Sequence, residues 1–420
     1  MGKSVCRTRA QPSAQECLLS AVPSLLIKTA HQDESALRVP ARPLRVLTLT
    51  PFYPSAEDES QGSFVAGPLR AIENHRILNH VIAVQPFYRQ RAYESGLAPS
   101  STWEQYFSVP GNPGLAWSGD FLAATLIRQL HRLHAQQPFD LIHAHAALPC
   151  GHAAAMLSKK LRVPFVVSVH GLDAYFERQG GFFWGKWCRR KSTSVYRAAR
   201  AVICVSEKVR QQLAQSVGVN RVVIHNGVDV NYFSPGSESS PLTVLSVGNL
   251  IPVKKHELLL RAFAHVKASV TGCRLEIIGD GSERARLEGL AAVLGIAGQV
   301  SFKGRLCREA VAEAMNRCAV FALPSSYEGL GCVYLEAMSS GKPTIGCTGQ
   351  GIAEIIENGR NGMLVAPGSL GDLAVALRTL LANEDLRARL GSAARATILQ
   401  NHTLEHQAAH LVQLYRECTA

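Results

Sequence analysis

The sequence predicts an α/β protein built from two doubly wound, Rossmann-like domains with a cleft between them. Apolar residues make up 47% of the 420 residues, which is enough for two cores. They occur as short Val/Ile/Leu runs separated by helical stretches, the pattern of buried parallel strands and their crossover helices. This alternation stops at a segment rich in Ser, Pro and Gly, residues 231–242, and then restarts.

Predicted strands alternate with helical patterns along both halves of the chain. Apolar periodicity predicts crossover helices such as Asp120–Ala135 and Glu207–Ser216. In the first half, apolar runs predict strands at Arg45–Thr50, Asn79–Val84, Asp140–His145, Phe165–His170, Ala201–Ser206 and Arg221–His225. In the second half they predict strands at Val244–Gly248, Arg274–Gly279, Val300–Gly304, Val320–Pro324, Pro343–Cys347 and Met363–Pro367.

The predicted domain organisation follows from this alternation. Its parts are a first domain at 44–230, a linker at 231–242, a second domain at 243–395 and a C-terminal helix at 396–420 that packs back across the domain junction. Ligands of such folds bind beyond the carboxyl ends of the strands, so functional residues are expected in the loops after strands. Residues 1–43 are expected to be a disordered extension or a misassigned start, because Glu16 and Pro23 spoil the resemblance of Cys17–Ile27 to a secretory signal.

Composition limits the compartment and the partners. The net charge of +12 suits nucleic acid, a phosphorylated small molecule or an acidic membrane surface. Eleven cysteines without a CxxC pair argue against a disulfide framework and a zinc site, and for a reducing compartment. No run approaches the roughly 18 to 20 apolar residues of a membrane-spanning helix, so any membrane contact should be peripheral. We expect a cytoplasmic protein that can also work at the inner face of the cell membrane.

One loop carries most of the chemical information. It runs from Pro324 to Met338, follows a predicted strand and opens a helix. Gly329 and Gly331 let the backbone approach a ligand closely, and the start of the helix suits a diphosphate. Glu336 lies five residues past Gly331, about 7.5 Å along a helix, where a carboxylate can accept hydrogen bonds from the vicinal hydroxyls of a ribose.

The role of Glu328 follows from the same geometry. Because it precedes the helix, Glu328 would face the sugar side of the diphosphate. The simpler interpretation is that Glu328 caps the helix and Glu336 is a solvated surface residue. The residues alone leave both interpretations open.

The segment from Glu328 to Glu336 resembles the Glu-x7-Glu signature of the family 4 glycosyltransferases, which have the GT-B fold. Further landmarks of that family occur in the same order from about residue 44 to the end: Asp140–His145, Val167–Asp173, Val205–Ser206, Asn226–Asp229, Val247–Gly248 with Lys254, Gly279–Gly281 and Gly304. A narrower resemblance, through Tyr53-Pro54 and Gln61–Val65, is to members that build teichuronic acid and other cell-surface polysaccharides. The resemblance implies a retaining transferase with a nucleotide-diphospho-sugar donor.

The resemblance also implies roles for individual residues. Glu328 would contact the transferred sugar, and Lys254 would neutralise the diphosphate as the glycosidic bond breaks. His170 would hydrogen-bond a sugar hydroxyl. A solvated lysine and a structural histidine are the plainer alternatives for the last two. The implied donor-binding residues are Glu336, Gly329, Leu330, Gly331, Asn249, Gly62 and Leu306.

The chain departs from the family pattern beside Lys254. Many members carry an arginine where this chain has Asn249, and a glycine where it has Lys255. Asparagine can donate a hydrogen bond to phosphate but adds no charge. Either Lys255 or another cation compensates, or the diphosphate is held less strongly. This departure leaves a noncatalytic nucleotide-sugar-binding relative open as an alternative function.

No metal or other cofactor is expected. The sequence contains no Asp-x-Asp motif, and His143 and His145 are period-2 neighbours on a predicted strand. With His152 they lack a nearby acidic partner in the sequence, so we interpret all three as structural. No pair of carboxylates flanking the bond is evident. In this family the departing phosphate oxygen is the base that deprotonates the acceptor.

The segment Phe182–Lys191 bears on the acceptor, because it mixes aromatic residues with a basic cluster. As a helix it would place cations beside bulky apolar groups, which fits an anionic membrane or a lipid-linked acceptor. Equally, its Trp side chains could enter the core while the charges are solvated. The expected partners are a nucleotide-sugar donor, a glycan or lipid-linked acceptor and, peripherally, an anionic membrane.

A basic nucleic-acid-binding protein is the remaining rival. It would explain the net charge but not the Glu-x7-Glu loop, and the sequence contains no recognisable nucleic-acid motif, so no nucleic acid is expected as a partner. Dinucleotide oxidoreductases and nucleotide triphosphatases fit poorly. No G-x-G-x-x-G follows a strand, and Gly341-Lys342-Pro343 lacks the other residues of a phosphate-binding loop.

Overall fold

The computed structural model of the protein describes residues 42–55, 61–89, 101–171, 182–214, 220–236 and 242–420. Most of the predicted extension 1–43 and part of the predicted linker lie outside the described residues. Residues Pro43–Ala420 form one compact unit. None of the helices in the described ranges is long and apolar enough to cross a membrane.

The first sheet consists of parallel strands. These are β1 (Leu44–Thr50), β2 (Ile77–Pro86), β3 (Ser101–Tyr106), β4 (Leu141–His145), β5 (Phe165–Val169), β6 (Ala201–Cys204) and β7 (Arg221–Val223). Their spatial order is β3-β2-β1-β4-β5-β6-β7. Strand β3 is missing from the sequence-based prediction. Among the described strands it pairs only with β2, at the sheet edge, so its sequence is polar and lacks the apolar run of a buried strand.

The second sheet is also parallel. Its strands are β8 (Thr243–Val247), β9 (Arg274–Ile278), β10 (Val300–Gly304), β11 (Val320–Ala322), β12 (Thr344–Cys347) and β13 (Met363–Val365). They lie in the order β10-β9-β8-β11-β12-β13. In each sheet the order reverses beside the first strand, as in a doubly wound fold. The predicted class of two Rossmann-like domains is therefore confirmed.

Helices connect the strands and close the chain. In the first domain they are α1 (Ser63–Glu73), α2 (Asn112–Gln136), α3 (His152–Leu161), α4 (Phe182–Ala198) and α5 (Glu207–Ala214). In the second part of the chain they are α6 (His256–Lys267), α7 (Arg284–Val293), α8 (Arg308–Arg317), α9 (Cys332–Ser339), α10 (Leu370–Ala382), α11 (Glu384–Asn401) and α12 (Leu404–Thr419). Leu411 and Tyr415 of α12 are buried with Val65 and Leu69 of α1, so the end of the chain packs on the first domain.

Apolar cores position the site. One core joins residues of the first sheet, such as Leu47 and Val167, to Phe321 and Tyr334 of the second domain. A second core lies within the second domain. Because the shared core packs the domains together, the loops at the carboxyl ends of β5 and β11 lie face to face.

Candidate active site

A buried ion pair lies where the loops after β8 and β11 meet. Nζ of Lys254 is 2.5 Å from Oε1 of Glu328. Ser325 Oγ donates a hydrogen bond of 2.9 Å to the same oxygen. Only 13% of the lysine side chain and 6% of the glutamate side chain are exposed. Buried charges persist when they are paired and hydrogen-bonded, so each side chain fixes the other.

The start of helix α9 decides between the two interpretations of Glu328. The helix begins at Cys332, and its N-cap residue is Gly331, with φ 85° and no side-chain hydrogen bond. The capping interpretation of Glu328 is therefore wrong. Its carboxylate is held by Lys254 and Ser325 at the edge of the second sheet.

The glycine loop before α9 touches the first domain through its backbone. A Cβ at Gly171 would lie 2.6 Å from the Cα of Gly329. Ser206 Oγ donates a 2.5 Å hydrogen bond to the Gly329 carbonyl, and the Tyr327 hydroxyl donates one of 3.0 Å to the Gly171 carbonyl. Leu330 is buried beside them. Glycine is needed at both 171 and 329 because no side chain fits between the two backbones.

Glu336 faces the cleft between the domains. This cleft has a volume of about 410 Å³. Its walls include Phe64 and Arg70 of α1, Tyr232 between the domains, and Arg308 at the start of α8. Glu336 is half-buried, so it is a wall of the cleft and the solvated-surface interpretation is wrong.

The carboxylate of Glu336 is an unused hydrogen-bond acceptor. Within the described ranges, no side chain or amide donates a hydrogen bond to it. Burial raises the pKa of Glu336 to about 7, although the guanidinium of Arg308 acts in the opposite direction. A ligand with paired hydroxyl groups would supply the missing donors.

His170 follows β5 and belongs to a pair of stacked imidazoles. His145 Nδ1 lies 3.0 Å from His170 Nε2, and the ring centroids are 5.2 Å apart. The rings of Phe52 and Phe64 meet His170 edge to face. Burial lowers the pKa of His170 to about 4. The imidazole is therefore neutral near pH 7 and cannot provide a positive charge.

His143 and His152, the other two histidines of the possible metal cluster, have partners within the fold. The Nδ1 atom of His143 lies 2.6 Å from the Tyr415 hydroxyl, and its Nε2 atom lies 2.7 Å from Ser168 Oγ. His152 lies 3.8 Å from the carboxylate of Asp120, so the expectation that it lacks an acidic neighbour is wrong. In the part of the chain that the structure describes, no group of three or more His, Cys, Asp or Glu side chains is placed to hold a metal ion.

The remaining predicted donor-binding residues lie in loops after strands. Asn249 is exposed two residues after the end of β8. Gly62 lies at the N-cap of α1 with φ 75°, where a Cβ would be 2.3 Å from the carbonyl carbon of Phe52. Leu306 follows β10 and packs against the shared core. Lys255 is exposed and has φ 56°, a conformation that favours the glycine many family members carry there.

Lys208 is a site cation that the sequence analysis does not identify. It lies on α5 of the first domain, and its Nζ donates 2.5 Å hydrogen bonds to the Gly349 carbonyl and to Oε1 of Gln350. The same Gln350 oxygen accepts a 3.0 Å bond from the amide of Glu328. The only sequence signal for Lys208 is its position just after the Val205-Ser206 landmark.

Comparison with known proteins agrees with this architecture. Residues 42–232 match the family model Glycosyltransferase Family 4, and residues 229–397 match the model Glycosyl transferases group 1. An uncharacterised glycosyltransferase of Methanocaldococcus jannaschii is 30% identical over 254 residues, which cover 60% of this chain and 68% of that protein.

Solved structures share the fold. Sucrose-phosphate synthase from Thermosynechococcus elongatus superimposes with a TM-score of 0.73 at 20% identity, over 89% of this chain and 98% of that one. Anabaena HepE, in complex with UDP and glucose, has a TM-score of 0.70 at 20% identity, over 89% and 100%. The narrower resemblance to teichuronic-acid enzymes stays a prediction. The chain belongs to the family 4 glycosyltransferases, enzymes of the GT-B fold that transfer glycosyl groups.

Proposed function

We propose that this glycosyltransferase moves a sugar from a nucleotide-diphospho-sugar to a hydroxyl acceptor, with retention at the anomeric carbon. The observation that carries the proposal is the half-buried Glu336 carboxylate, which faces the cleft and receives no hydrogen bond from the described residues. Such a carboxylate gains most from two vicinal hydroxyl donors, and a ribose supplies them. The UDP bound by HepE supports a donor of this class.

The diphosphate would lie between Glu336 and Lys254. Its oxygens would lie at the start of α9, after the N-cap residue Gly331, where backbone N–H groups favour an anion. The ammonium of Lys254 is held in place by Glu328 before a donor arrives. Negative charge on the leaving diphosphate grows as the glycosidic bond breaks, so Lys254 would stabilise the transition state more than the bound donor.

The transferred sugar would lie against Glu328. Oε1 of that carboxylate already accepts from Lys254 and Ser325, whereas Oε2 receives no hydrogen bond from the described residues. A sugar hydroxyl would donate to Oε2, and the neutral imidazole of His170 would share a hydrogen bond with another hydroxyl.

Proton transfer would involve the donor itself. The bond from the anomeric carbon to the diphosphate breaks, the acceptor oxygen forms the new bond on the same face, and the departing phosphate oxygen takes the acceptor proton. Lys254 supplies the positive charge beside the phosphate, so we propose that no metal ion is needed.

The proposed acceptor is a lipid-linked or polysaccharide intermediate of cell-surface glycan synthesis. Support comes from helix α4 of the first domain, where Trp184 and Trp187 are exposed beside Arg189 and Arg190. Apolar rings beside cations suit an acceptor that combines a lipid with a pyrophosphate.

The test is a panel of UDP-, GDP-, ADP- and TDP-sugars, with thermal shift and donor hydrolysis as readouts. Glu336→Gln is compared with the wild type and with Glu313→Gln, a control on the exposed side of α8. We expect one nucleotide class to stabilise the wild type and the control and to be hydrolysed, with both effects lost in Glu336→Gln. Binding without hydrolysis or transfer would support the noncatalytic alternative. Salt-sensitive binding of unrelated nucleic acids, with no response to any donor, would support the nucleic-acid alternative.

A further inference from the structure

A strip of exposed aromatic side chains crosses the first domain. Its members are 37% to 53% exposed. They are Phe87, Phe107, Phe121, Trp117, Trp187 and Trp184, here named the aromatic strip. It contains three of the four tryptophans of the chain. Large apolar patches at the surface of a soluble domain mark sites of interaction.

Five of the six rings contact another ring of the strip, and these contacts join separate elements. Phe87, after β2, stacks on Phe107, after β3, with centroids 5.3 Å apart and ring planes 6° apart. Phe107 meets Phe121 of α2 at 5.0 Å. One turn earlier on α2, Trp117 meets Trp187 of α4 at 5.7 Å.

Helix α4 buries a different face. Gly185, Cys188 and Val195 are buried, whereas Trp184 and Trp187 point outward. The interpretation that these Trp side chains enter the core is therefore wrong. The helix turns its Gly185, Cys188 and Val195 face to the core, which leaves the two Trp side chains on the exposed face.

Cations flank the strip, and α4 contains no acidic residue. Lys186, Arg189 and Arg190 are exposed on this helix. Lys191 forms a 2.6 Å ion pair with Asp120, and its Nζ lies 4.9 Å from the centroid of the Trp117 ring. Three exposed cations that form no ion pair with another described residue, beside large aromatic side chains, match the surface of an anionic bilayer, where the rings enter the interface and the charges meet the headgroups.

The ring geometry favours a bilayer over nucleic acid. Single-stranded nucleic acids bind by stacking bases on free aromatic faces. Phe87 and Phe107 stack on each other, and Trp117 has Trp187 on one side and Lys191 nearby, so these faces are already in contact. The outer edges of the rings remain available, and edges suit lipid better than bases.

The strip begins at the edge of the first sheet that is formed by the carboxyl ends of its strands. Phe87 and Phe107 follow the carboxyl ends of β2 and β3, and His170 follows the carboxyl end of β5. The strands are parallel, so these ends share one edge of the sheet. A bilayer bound there would lie on the edge that also carries the predicted sugar-binding histidine.

We propose that the aromatic strip, together with Lys186, Arg189 and Arg190, is the surface by which this enzyme docks on an anionic lipid bilayer. The proposal names a partner for the proposed transferase. It rests on the proposed function only for the reason why the enzyme would bind a membrane. Vesicle binding is measured without donor, so its failure is separate from a failure of the proposed reaction.

The experiment uses the full chain with vesicles of phosphatidylcholine, alone or mixed with phosphatidylglycerol, read by co-sedimentation and tryptophan fluorescence. We expect binding to the mixed vesicles, weakening with salt, and a blue shift of the emission. Trp184→Ser/Trp187→Ser should lower partitioning at least about tenfold. Arg189→Gln/Arg190→Gln should lower it about thirtyfold, from about 1 kcal/mol per cation.

Matched controls lie on the second part of the chain. Val293→Ser/Leu399→Ser removes exposed apolar side chains, and Arg378→Gln/Arg389→Gln removes exposed cations. Both controls should bind vesicles like the wild type, and the thermal midpoint of every variant should show intact folding. The proposal is overturned if the strip variants bind like the wild type. It is also overturned if the strip instead mediates self-association in gel filtration or binding of a single-stranded oligonucleotide.

Discussion

The Lys254–Glu328 ion pair has a structural role and a proposed catalytic role, and one substitution cannot separate them. Both side chains are nearly buried. Removal of Lys254 alone leaves a buried carboxylate without its cation, which typically costs about 3 kcal/mol or more. Replacement of both charges by neutral side chains of similar size is far less costly.

We therefore expect Lys254→Met to lower both stability, by about 3 kcal/mol, and turnover. The double variant Lys254→Met/Glu328→Gln should regain most of the stability but none of the activity, because neither the phosphate nor the sugar keeps its partner. Urea unfolding and donor hydrolysis measure the two effects. Arg317→Met/Glu313→Gln, an exposed pair on α8, is the control and should change stability by less than about 1 kcal/mol. Activity that returned with stability in the site double variant would contradict the catalytic role.

The pKa of Glu336 predicts how donor affinity depends on pH. Burial raises this pKa to about 7, and the ionised carboxylate is the better acceptor for ribose hydroxyls. Affinity for the preferred nucleotide should therefore rise from about pH 6 to about pH 8 and level off above the pKa. Isothermal titration of the wild type and of Glu336→Gln measures it. The variant should bind more weakly, with a flatter profile.

The raised pKa of Glu336 also predicts how stability depends on pH. The folded-state pKa of Glu336 is raised, so the stability linked to this carboxyl is present below its ordinary pKa and is lost as the pH rises through about 7. Without that ionisation, unliganded Glu336→Gln should be at least as stable as the wild type at about pH 8. A large loss of stability in this variant would mean that the carboxylate is a structural group.

At the scale of elements, helix α5 is capped from the other domain. The carboxylate of Glu354 accepts 2.8 Å hydrogen bonds from the amides of Glu207 and Lys208, at the start of α5. His225 Nε2 lies 3.0 Å from the same carboxylate. Burial raises the pKa of Glu354, but the hydrogen bonds from His225 and the two amides outweigh it and leave the pKa below its ordinary value. This contact also orients Lys208 toward the site.

Loss of the cap should loosen the domain contact. We expect Glu354→Ala to cost about 1 to 2 kcal/mol and to speed hydrogen exchange in α5. Because the pKa of Glu354 is lowered in the folded protein, its contribution to stability is present above about pH 4.5 and is lost as the pH falls below that value. Exchange measured by mass spectrometry should show no comparable change in Glu357→Ala, which removes an exposed partner of Arg360. Equal exchange in both variants would contradict the capping role.

Local patterns could predict most elements, and long-range contacts could not. Buried strands such as β5 and β6 are apolar or nearly apolar runs, so their sequences identify them. The edge strand β3 lacks that signal because only one neighbour pairs with it. The positions of Lys254 and Glu328 after strands follow from the family pattern, whereas their ion pair joins residues 74 apart. The cap of α5 by Glu354 joins residues 147 and 146 apart, which no periodicity encodes.

At the scale of the whole molecule, the two domains meet at the proposed sugar site. The backbone of Gly171 contacts the Gly329 loop, and Tyr327 and Ser206 form hydrogen bonds across the same junction. The transferred sugar is proposed to lie beside this contact. A donor would therefore need the domains to separate for entry and to close for reaction, as in other two-domain enzymes.

A side chain at Gly171 should keep the domains apart. Its Cβ would lie 2.6 Å from the Gly329 Cα, a backbone atom that cannot give way without movement of the loop, and the φ of 109° adds strain. We expect Gly171→Ala to increase the radius of gyration in small-angle scattering and to lower turnover by about tenfold or more, because the catalytic groups no longer meet.

Gly368→Ala is the matched control: its φ of 80° brings similar backbone strain, and no atom lies within 4 Å of the added Cβ. That control should lose about 1 kcal/mol of stability and keep its activity. Because both variants strain the backbone, only an effect specific to Gly171→Ala supports domain closure, and full activity with an unchanged radius would show that the contact is not required for the reaction.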